Sequence, residues 1–537
     1  MQNLRFMSKL INNYKIILFF LMVVILISTS GCIENASMKT IQVTITVDSK
    51  INNYTVDVGT TLQSLISEKN ILLNPLDKVI PPLYTVITSD MSVEITRVKE
   101  EFETEEITIP FERQTVRNET LPEKQTILIQ PGLNGLREIT YRVLYENGNL
   151  ASRTEVRRAD TILSKPEIIM MGVQTPFTPI NINGKLVYLS SGNAWEMEND
   201  TANRRPLLTT GDLDGRVFEL SDNTRWLLFT RKSSEFETEK INELWVLDTQ
   251  SEELTPVYLQ IDNVIHFADW VPGFTLAVMA STVEPRSTAP GWQANNNLIL
   301  ITLGADGKPL KNETILESNS GGIYGWWGTN FQYSPNGKLL AYARPDSIGL
   351  VNIENGSLEE LQFITPFQTK SDWAWVTPIS WTPDSLFLFW VNHINDPSSS
   401  NPESSPFFDL QAIQLNSRQI INSQKNVGMF AYSSSPSQFA NGTFLIIYLQ
   451  AIFPENSDSS RYRIISMDRD SSNSQTIFPE VDAQGLEPQQ VQWMPCETLD
   501  NCKISIIYQG NIWLLDVQSK SISQVTGDGL ITNLDWE

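Results

Sequence analysis

Histidine and cysteine are nearly absent from this chain. Of 537 residues, two are histidine, His266 and His393, and three are cysteine, Cys32, Cys496 and Cys502. So few imidazoles and thiols leave little for the Ser-His-Asp or Cys-His sets of nucleophilic catalysis. A structural zinc site wants four such ligands and finds none grouped. No Gly-x-Ser-x-Gly elbow, glycine-rich phosphate loop or His-Glu-x-x-His helix occurs. Asp212-Leu-Asp-Gly echoes the start of a calcium loop, but the distal Glu is misplaced and the stretch reads as a turn. The sequence therefore implies no catalytic residue, no metal and no cofactor. Paired carboxylates are the one catalytic device it leaves open, because their spacing in space is invisible here.

Positive charge is scarce as well. The 39 basic residues face 62 acidic ones, for a net charge of −23. Leaving out Arg5, Lys9 and Lys15 of the first 31 residues makes the remainder −26. A surface of that sign excludes nucleic acid as a partner, since its recognition depends on basic patches. It also disfavours direct docking on anionic lipid or anionic wall polymer.

What is present begins at the N-terminus. The three cations precede an apolar run from Ile16 to Ile27, and Ser28, Thr29, Ser30 and Gly31 then lead into Cys32. A basic start, a short apolar stretch and small residues describe an export signal. The run falls short of the roughly 20 apolar residues of a membrane-spanning helix. With a Cys directly after the small residues, segment 1–31 resembles a bacterial lipoprotein signal, although Thr29 stands where that family has Leu. The resemblance implies acylation of Cys32 (diacylglycerol, palmitate) and a membrane partner through the lipid. It implies export to the outer face of the cytoplasmic membrane or to an outer membrane. An oxidising compartment then leaves Cys496 and Cys502 as a disulfide pair within one short loop.

Residues 33–180 alternate strands with turn signals. Ile41-Gln-Val-Thr-Ile-Thr-Val and Glu106-Ile-Thr-Ile-Pro-Phe have period two. Thr61 to Glu68 suits one short helix capped by Thr60 or Thr61. Residues 38–97 resemble a ubiquitin-like wall-protein domain of unassigned function. Residues 98–174 resemble the G-five domain: Thr104-Glu-Glu-Ile-Thr-Ile-Pro-Phe, then Gly132 and Gly135, then Ile139-Thr-Tyr-Arg-Val-Leu-Tyr-Glu-Asn-Gly148, then Pro166-Glu-Ile-Ile and Gly172. The family's first glycine, expected near Lys124–Gln125, is missing. Asn147-Gly148 is a two-residue hairpin signal, and Gly132 with Gly135 predicts a second tight reversal. The resemblance implies contact with N-acetylglucosamine-containing polymer such as peptidoglycan. Residues 175–181 read as a linker.

From 182 to 537 an apolar strand recurs. Trp195, Trp245, Ile299, Gly349, Gln411, Ile465 and Trp513 occupy equivalent places at spacings of 50, 54, 50, 62, 54 and 48. A hairpin turn after an aromatic precedes the recurrent strand: Trp270-Val-Pro, Tyr333-Ser-Pro, Trp381-Thr-Pro, Trp493-Met-Pro. The unit Phe331-Gln-Tyr-Ser-Pro-Asn-Gly-Lys-Leu-Leu-Ala-Tyr resembles the repeat of TolB-like and other WD-type propellers. The expected fold is mostly β: a small ubiquitin-like α+β domain, a G-five β domain and a seven-bladed β-propeller. Leu534-Asp-Trp-Glu537 supplies a closing strand beside the strand at Asn183-Gly-Lys-Leu-Val-Tyr.

Counting strands outward from the axis, the first-to-second turns are short. The second-to-third and fourth-to-first connections are long and open on one face, where binding is expected. Trp292, Tyr324, Trp327 and Trp373 fall in or beside those long loops, and His393 opens another. They are the candidate ligand-binding residues, suited to sugar rings or apolar peptide anchors. Trp326, Trp375 and Trp381 read instead as seam plugs. His266 reads as a satisfied interior imidazole. Two functions follow. The first is a cell-envelope binding or scaffolding lipoprotein, touching wall glycan through the G-five region and a ligand or envelope protein through the propeller. The alternative is a propeller hydrolase or lyase acting on polysaccharide or peptide.

Overall fold

The computed structural model describes residues 40–118, 124–172, 177–233, 239–274, 276–398, 400–436, 442, 444–480 and 483–537. Residues 1–31, read above as an export signal, and Cys32 lie outside the described residues. Among the described residues no helix is long and apolar enough to cross a membrane.

The first domain contains β1 (Thr40–Val47), β2 (Lys50–Asp57), α1 (Leu62–Glu68), β3 (Lys78–Ile80) and β4 (Met91–Thr96), with sheet order β2-β1-β4-β3. Strand β1 alternates as expected, burying Ile41, Val43, Ile45 and Val47. Thr61 is the helix cap, its hydroxyl accepting from Ser64 N at 3.3 Å. Leu62, Leu65 and Ile66 of α1 pack on the sheet. β1 pairs antiparallel with β2 and parallel with β4.

Six strands follow: β5 (Val98–Ile109), β6 (Arg113–Asn118), β7 (Thr126–Gln130), β8 (Gly135–Glu146), β9 (Asn149–Ile162) and β10 (Glu167–Gly172). They form two three-stranded sheets, β5-β8-β9 and β6-β10-β7. Asn147 and Gly148 join β8 to β9 with φ of 47° and 82°, the two positive values that the hairpin signal requires. β7 and β8 belong to different sheets, so the segment holding Gly132 and Gly135 does not close a hairpin between them. A Cβ on Gly135 would lie 2.7 Å from the Ile162 carbonyl oxygen, so this glycine serves close backbone approach. Where the family's first glycine is missing, Lys124 itself takes φ 66°.

The chain forms two compact units, 1–104 with 140–155, and 105–139 with 156–537. Their boundary runs through β5, β8 and β9.

The propeller comprises seven four-stranded sheets among the described residues. The first uses β11 (Asn181–Ser190), β12 (Asn193–Asp200) and β13 (Arg204–Leu208), and is completed by Ile531–Trp536, which pairs antiparallel with β11. The other six blades span 213–262, 268–316, 330–363, 379–424, 433–478 and 492–524. Each residue of the recurrent series, from Trp195 to Trp513, lies on the third strand of its blade. The innermost strands are Leu213–Leu220, Ala268–Trp270, Asn330–Tyr333, Ile379–Trp381, Ser433–Ser434, Gln492–Trp493 and Ile531–Trp536. Cys496 and Cys502 are joined by a disulfide in a first-to-second turn.

Candidate functional site

Five of the seven inner strands end in an aromatic, and their contacts explain why it recurs before the turn. Trp270 Nε1 donates to the Glu219 carbonyl at 3.1 Å, and Trp381 Nε1 to the Gln332 carbonyl at 3.1 Å, each across a blade seam. Trp493 Nε1 reaches Ser434 Oγ at 2.6 Å, and Trp536 Nε1 the Asn183 carbonyl at 2.8 Å. These indoles bury area and satisfy their one donor. Since strand side chains alternate, the residue just before each aromatic turns the other way. Those positions are Asp269, Gln332, Ser380, Gln492 and Asp535, and their equivalents on the other two inner strands are Glu219, before Leu220, and Ser433, before Ser434. Glu219, Asp269, Gln332, Gln492 and Asp535 line an axial cavity of about 380 Å³. Ser380 and Ser433 hydrogen-bond each other at 2.5 Å.

One arc of this ring is acidic. Asp535, Glu219 and Asp269 come from consecutive blades, and Asp222 and Glu537 line the same cavity nearby. Asp535 accepts from Leu220 N at 2.7 Å and from Trp536 N at 2.8 Å, and Asp269 accepts from Trp270 N at 2.7 Å. Among the described residues none of the five carboxyls has an ion-pair partner. Burial, then mutual repulsion, raises the pKa values of Glu219, Asp269, Asp535 and Glu537, for Asp269 and Asp535 despite those backbone donors. Asp535 is pushed up to about 6, Asp269 to about 7 and Glu537 to about 8. Glu219 is raised well above the ordinary carboxylate range, by burial and then by Asp535 and Asp269. Three carboxyls in one cavity thus titrate at about 6 to 8. Among the described residues no three acidic or imidazole groups are arranged to hold a metal ion.

The acidic arc lies at the end of the axis where the first-to-second turns open, opposite the long loops. Arg216, three residues before Glu219 on the same strand, and His266 line the cavity toward the long-loop end. Burial pushes the His266 imidazole down to about 4, so it is neutral, and Arg216 acts in the same direction. Its Nε2 is buried with no hydrogen-bond partner, which differs from the satisfied imidazole expected.

The sequence candidates on the long-loop face separate into groups. Trp292 and Trp327 meet at 5.2 Å, flank His266 at 6.0 and 5.5 Å, and are joined by Trp292 Nε1 donating to the Trp327 carbonyl at 3.1 Å. Arg216 sits 5.7 Å over the Trp292 ring. The Tyr324 carbonyl accepts from Trp327 N at 3.1 Å, while its side chain bonds elsewhere, the OH donating to Glu403 at 2.8 Å, and burial with that contact pushes the phenol up to about 12. Trp373 stacks on Phe430 at 6.3 Å and packs against a blade core.

The His393 ring is buried, where an open loop was expected. It is 3 % exposed, stacks on Phe408 at 4.9 Å, and points its two ring nitrogens at the Thr365 and Ser405 carbonyls at 2.9 and 2.8 Å. The loop that looked solvated folds back over it. Part of the long-loop face is also occupied from within the second compact unit. Arg158 pairs with Asp458 at 3.2 Å and its N–H donates to the Lys370 carbonyl at 2.9 Å. Arg461 pairs with Glu112, which also accepts from Gln484 at 3.1 Å.

Sequence reasoning passed over the five carboxyls. The available signal was the residue before each recurrent aromatic, acidic in Asp269-Trp270 and Asp535-Trp536.

A family model described as the G5 domain matches residues 100–174. No curated protein matches the chain. Among solved structures the chain is similar to the IgA1 protease G5 domain, at 24% identity over 15% of this chain and 94% of that one, with a TM-score of 0.14. It is similar to TolB from Acinetobacter baumannii at 12% identity, over 73% of this chain and 98% of that one, with a TM-score of 0.34. It is similar to the periplasmic gluconolactonase of Pseudomonas aeruginosa at 11% identity, over 65% of this chain and 98% of that one, with a TM-score of 0.40. Residues 100–174 are a G5 domain, followed in the same chain by a seven-bladed β-propeller.

Proposed function

We propose that this protein is an exported binding protein of the cell envelope, tethered through acylated Cys32. Its G5 region contacts N-acetylglucosamine-containing wall polymer, and its propeller takes a ligand by an ammonium or guanidinium group in the axial cavity. The observation that carries the propeller reading is the arc of Glu219, Asp269 and Asp535, with Asp222 and Glu537 beside it and, among the described residues, no ion-pair partner for any of the five. A ligand cation would relieve their mutual repulsion, and repulsion relieved only on binding is binding energy. Trp292 and Trp327, close to the other end of the cavity, are the aromatic pair available to a sugar ring or apolar group.

Calorimetry of residues 33–537 with spermidine, triarginine and triglycine tests the cavity. Cationic probes should bind and triglycine should not. Asp269→Asn with Asp535→Asn should weaken the cationic probes about tenfold or more. Affinity should fall as pH drops from 8.5 to 5.5, because protons compete for carboxyls titrating near 6 to 8. Equal binding by the double variant would refute the assignment. Sedimentation with purified peptidoglycan tests the G5 contact, which the Trp292→Ala variant should leave intact.

A second reading draws on the same carboxyls. A carboxyl with a pKa of about 7, such as Asp269, suits general acid–base work on a polysaccharide or peptide. Release of reducing ends or peptides from wall digests, abolished by Asp269→Asn, would favour it over simple binding.

A further inference from the structure

The first domain turns five apolar side chains outward along one short stretch. Leu72, Leu76, Ile80, Tyr84 and Val86 are 84%, 40%, 64%, 80% and 48% exposed. Their neighbours Ile71, Leu73, Val79 and Leu83 point inward and pack on the domain core. The fold therefore uses the inward set and leaves the outward set without an internal role. Ile80 lies on β3, the edge strand of its sheet. Residues 70–88 hold only two charged side chains, Asp77 and Lys78. The Asp77 carboxyl is fully covered and pairs with Arg97 at 2.7 Å, and Lys78 pairs with Glu146 at 2.5 Å. Across 40–98, six acidic and four basic residues leave −2, a small share of the acidity of the chain.

We propose that the stretch from Leu72 to Val86 is a bilayer-contacting surface, resting at the headgroup–acyl boundary of a phospholipid membrane. This rests on the tether proposed above. From Cys32 to Thr40 the chain spans at most about 28 Å, so the acyl group keeps this domain at the lipid surface. Which side faces the lipid is then set by local chemistry. Exposed apolar side chains with a tyrosine among them suit an interface that takes apolar groups and hydrogen-bonds a phenol. The low charge of the domain spares it the repulsion that the rest of the chain meets at anionic lipid.

A fluorescent thiol label tests the contact. Leu72→Cys, Ile80→Cys and, on the opposite edge strand β2, Asn53→Cys are each made in residues 33–537. With Cys496 and Cys502 joined, the introduced thiol is the one to be labelled. An N-terminal polyhistidine holds the protein on phosphatidylcholine–phosphatidylglycerol vesicles containing nickel-chelating lipid. Labels at 72 and 80 should shift to the blue and be quenched by nitroxide-bearing lipid, while the label at 53 stays aqueous. Tyr84→Glu should reduce the quenching at both positions. Equal, aqueous behaviour at all three positions would overturn the proposal. So would a concentration-dependent blue shift without lipid quenching, which marks contact with a second protein molecule. Because the nickel lipid supplies the tether, this result stands apart from acylation. Palmitate labelling of the full chain, and its loss in Cys32→Ser, tests the tether by itself.

Discussion

Two groups of carboxyls in this molecule respond to protons in opposite directions. In the first domain, burial raises the pKa of Asp77, but Asn74 N–H, Val98 N–H and Arg97 overcome it and hold the carboxyl below its ordinary range. In the propeller, Glu219, Asp269, Asp535 and Glu537 lack such cations and are held above it. Asp77 contributes stability at neutral pH that is lost as pH falls through its titration. The axial carboxyls are least costly when protonated, and stability declines as pH rises through about 6 to 8. A group satisfied by its surroundings holds a fold together. A group left unsatisfied in a cavity is a feature the fold carries for another purpose, and the cationic ligand proposed above would supply one.

The largest effect should come from the closing strand. Trp536→Ala removes a 3% exposed indole and its bond to the Asn183 carbonyl. It should cost about 3–5 kcal/mol, seen as a lower urea midpoint for the propeller transition with that of the first domain unchanged. Asp77→Ala should do the converse. It leaves Arg97 without one partner and two N–H groups unsatisfied, and should cost the first domain about 3 kcal/mol at pH 7. The loss should shrink as pH falls through the titration of the parent carboxyl, which lies below its ordinary range. Next, Asp269→Asn with Asp535→Asn should raise propeller stability by about 1–2 kcal/mol at pH 8.5 and hardly at all at pH 4.5. A gain of equal size at both pH values would mean that packing and not charge is responsible. The smallest effect belongs to the β8–β9 pair of Arg137 and Asp160, at 2.5 Å and partly exposed. Arg137→Ala should cost under about 1 kcal/mol, and the loss should diminish in 1 M salt.

Much of the fold was legible because strands and turns are local. Period-two alternation marked β1, the Asn147-Gly148 pair marked the β8–β9 hairpin, and spacings near 50 residues marked the third strands of the blades. The site was less legible. Trp292 and Trp327 do meet, but the Tyr324 hydroxyl is taken by Glu403 and Trp373 packs against a blade core, and polar composition around His393 suggested an open loop where the chain instead closes over a buried ring. The acidic arc was hidden because Glu219, Asp269 and Asp535 are ordinary residues in their own segments.

The sequence alone determined the repeat, the blade number and the strand left over to complete the first sheet, since each follows from side chains a few positions apart. Only the tertiary structure decided that three carboxyls from separate blades should share one cavity with two more. Their raised pKa values depend on distance and on the removal of water, and neither exists until the ring has formed.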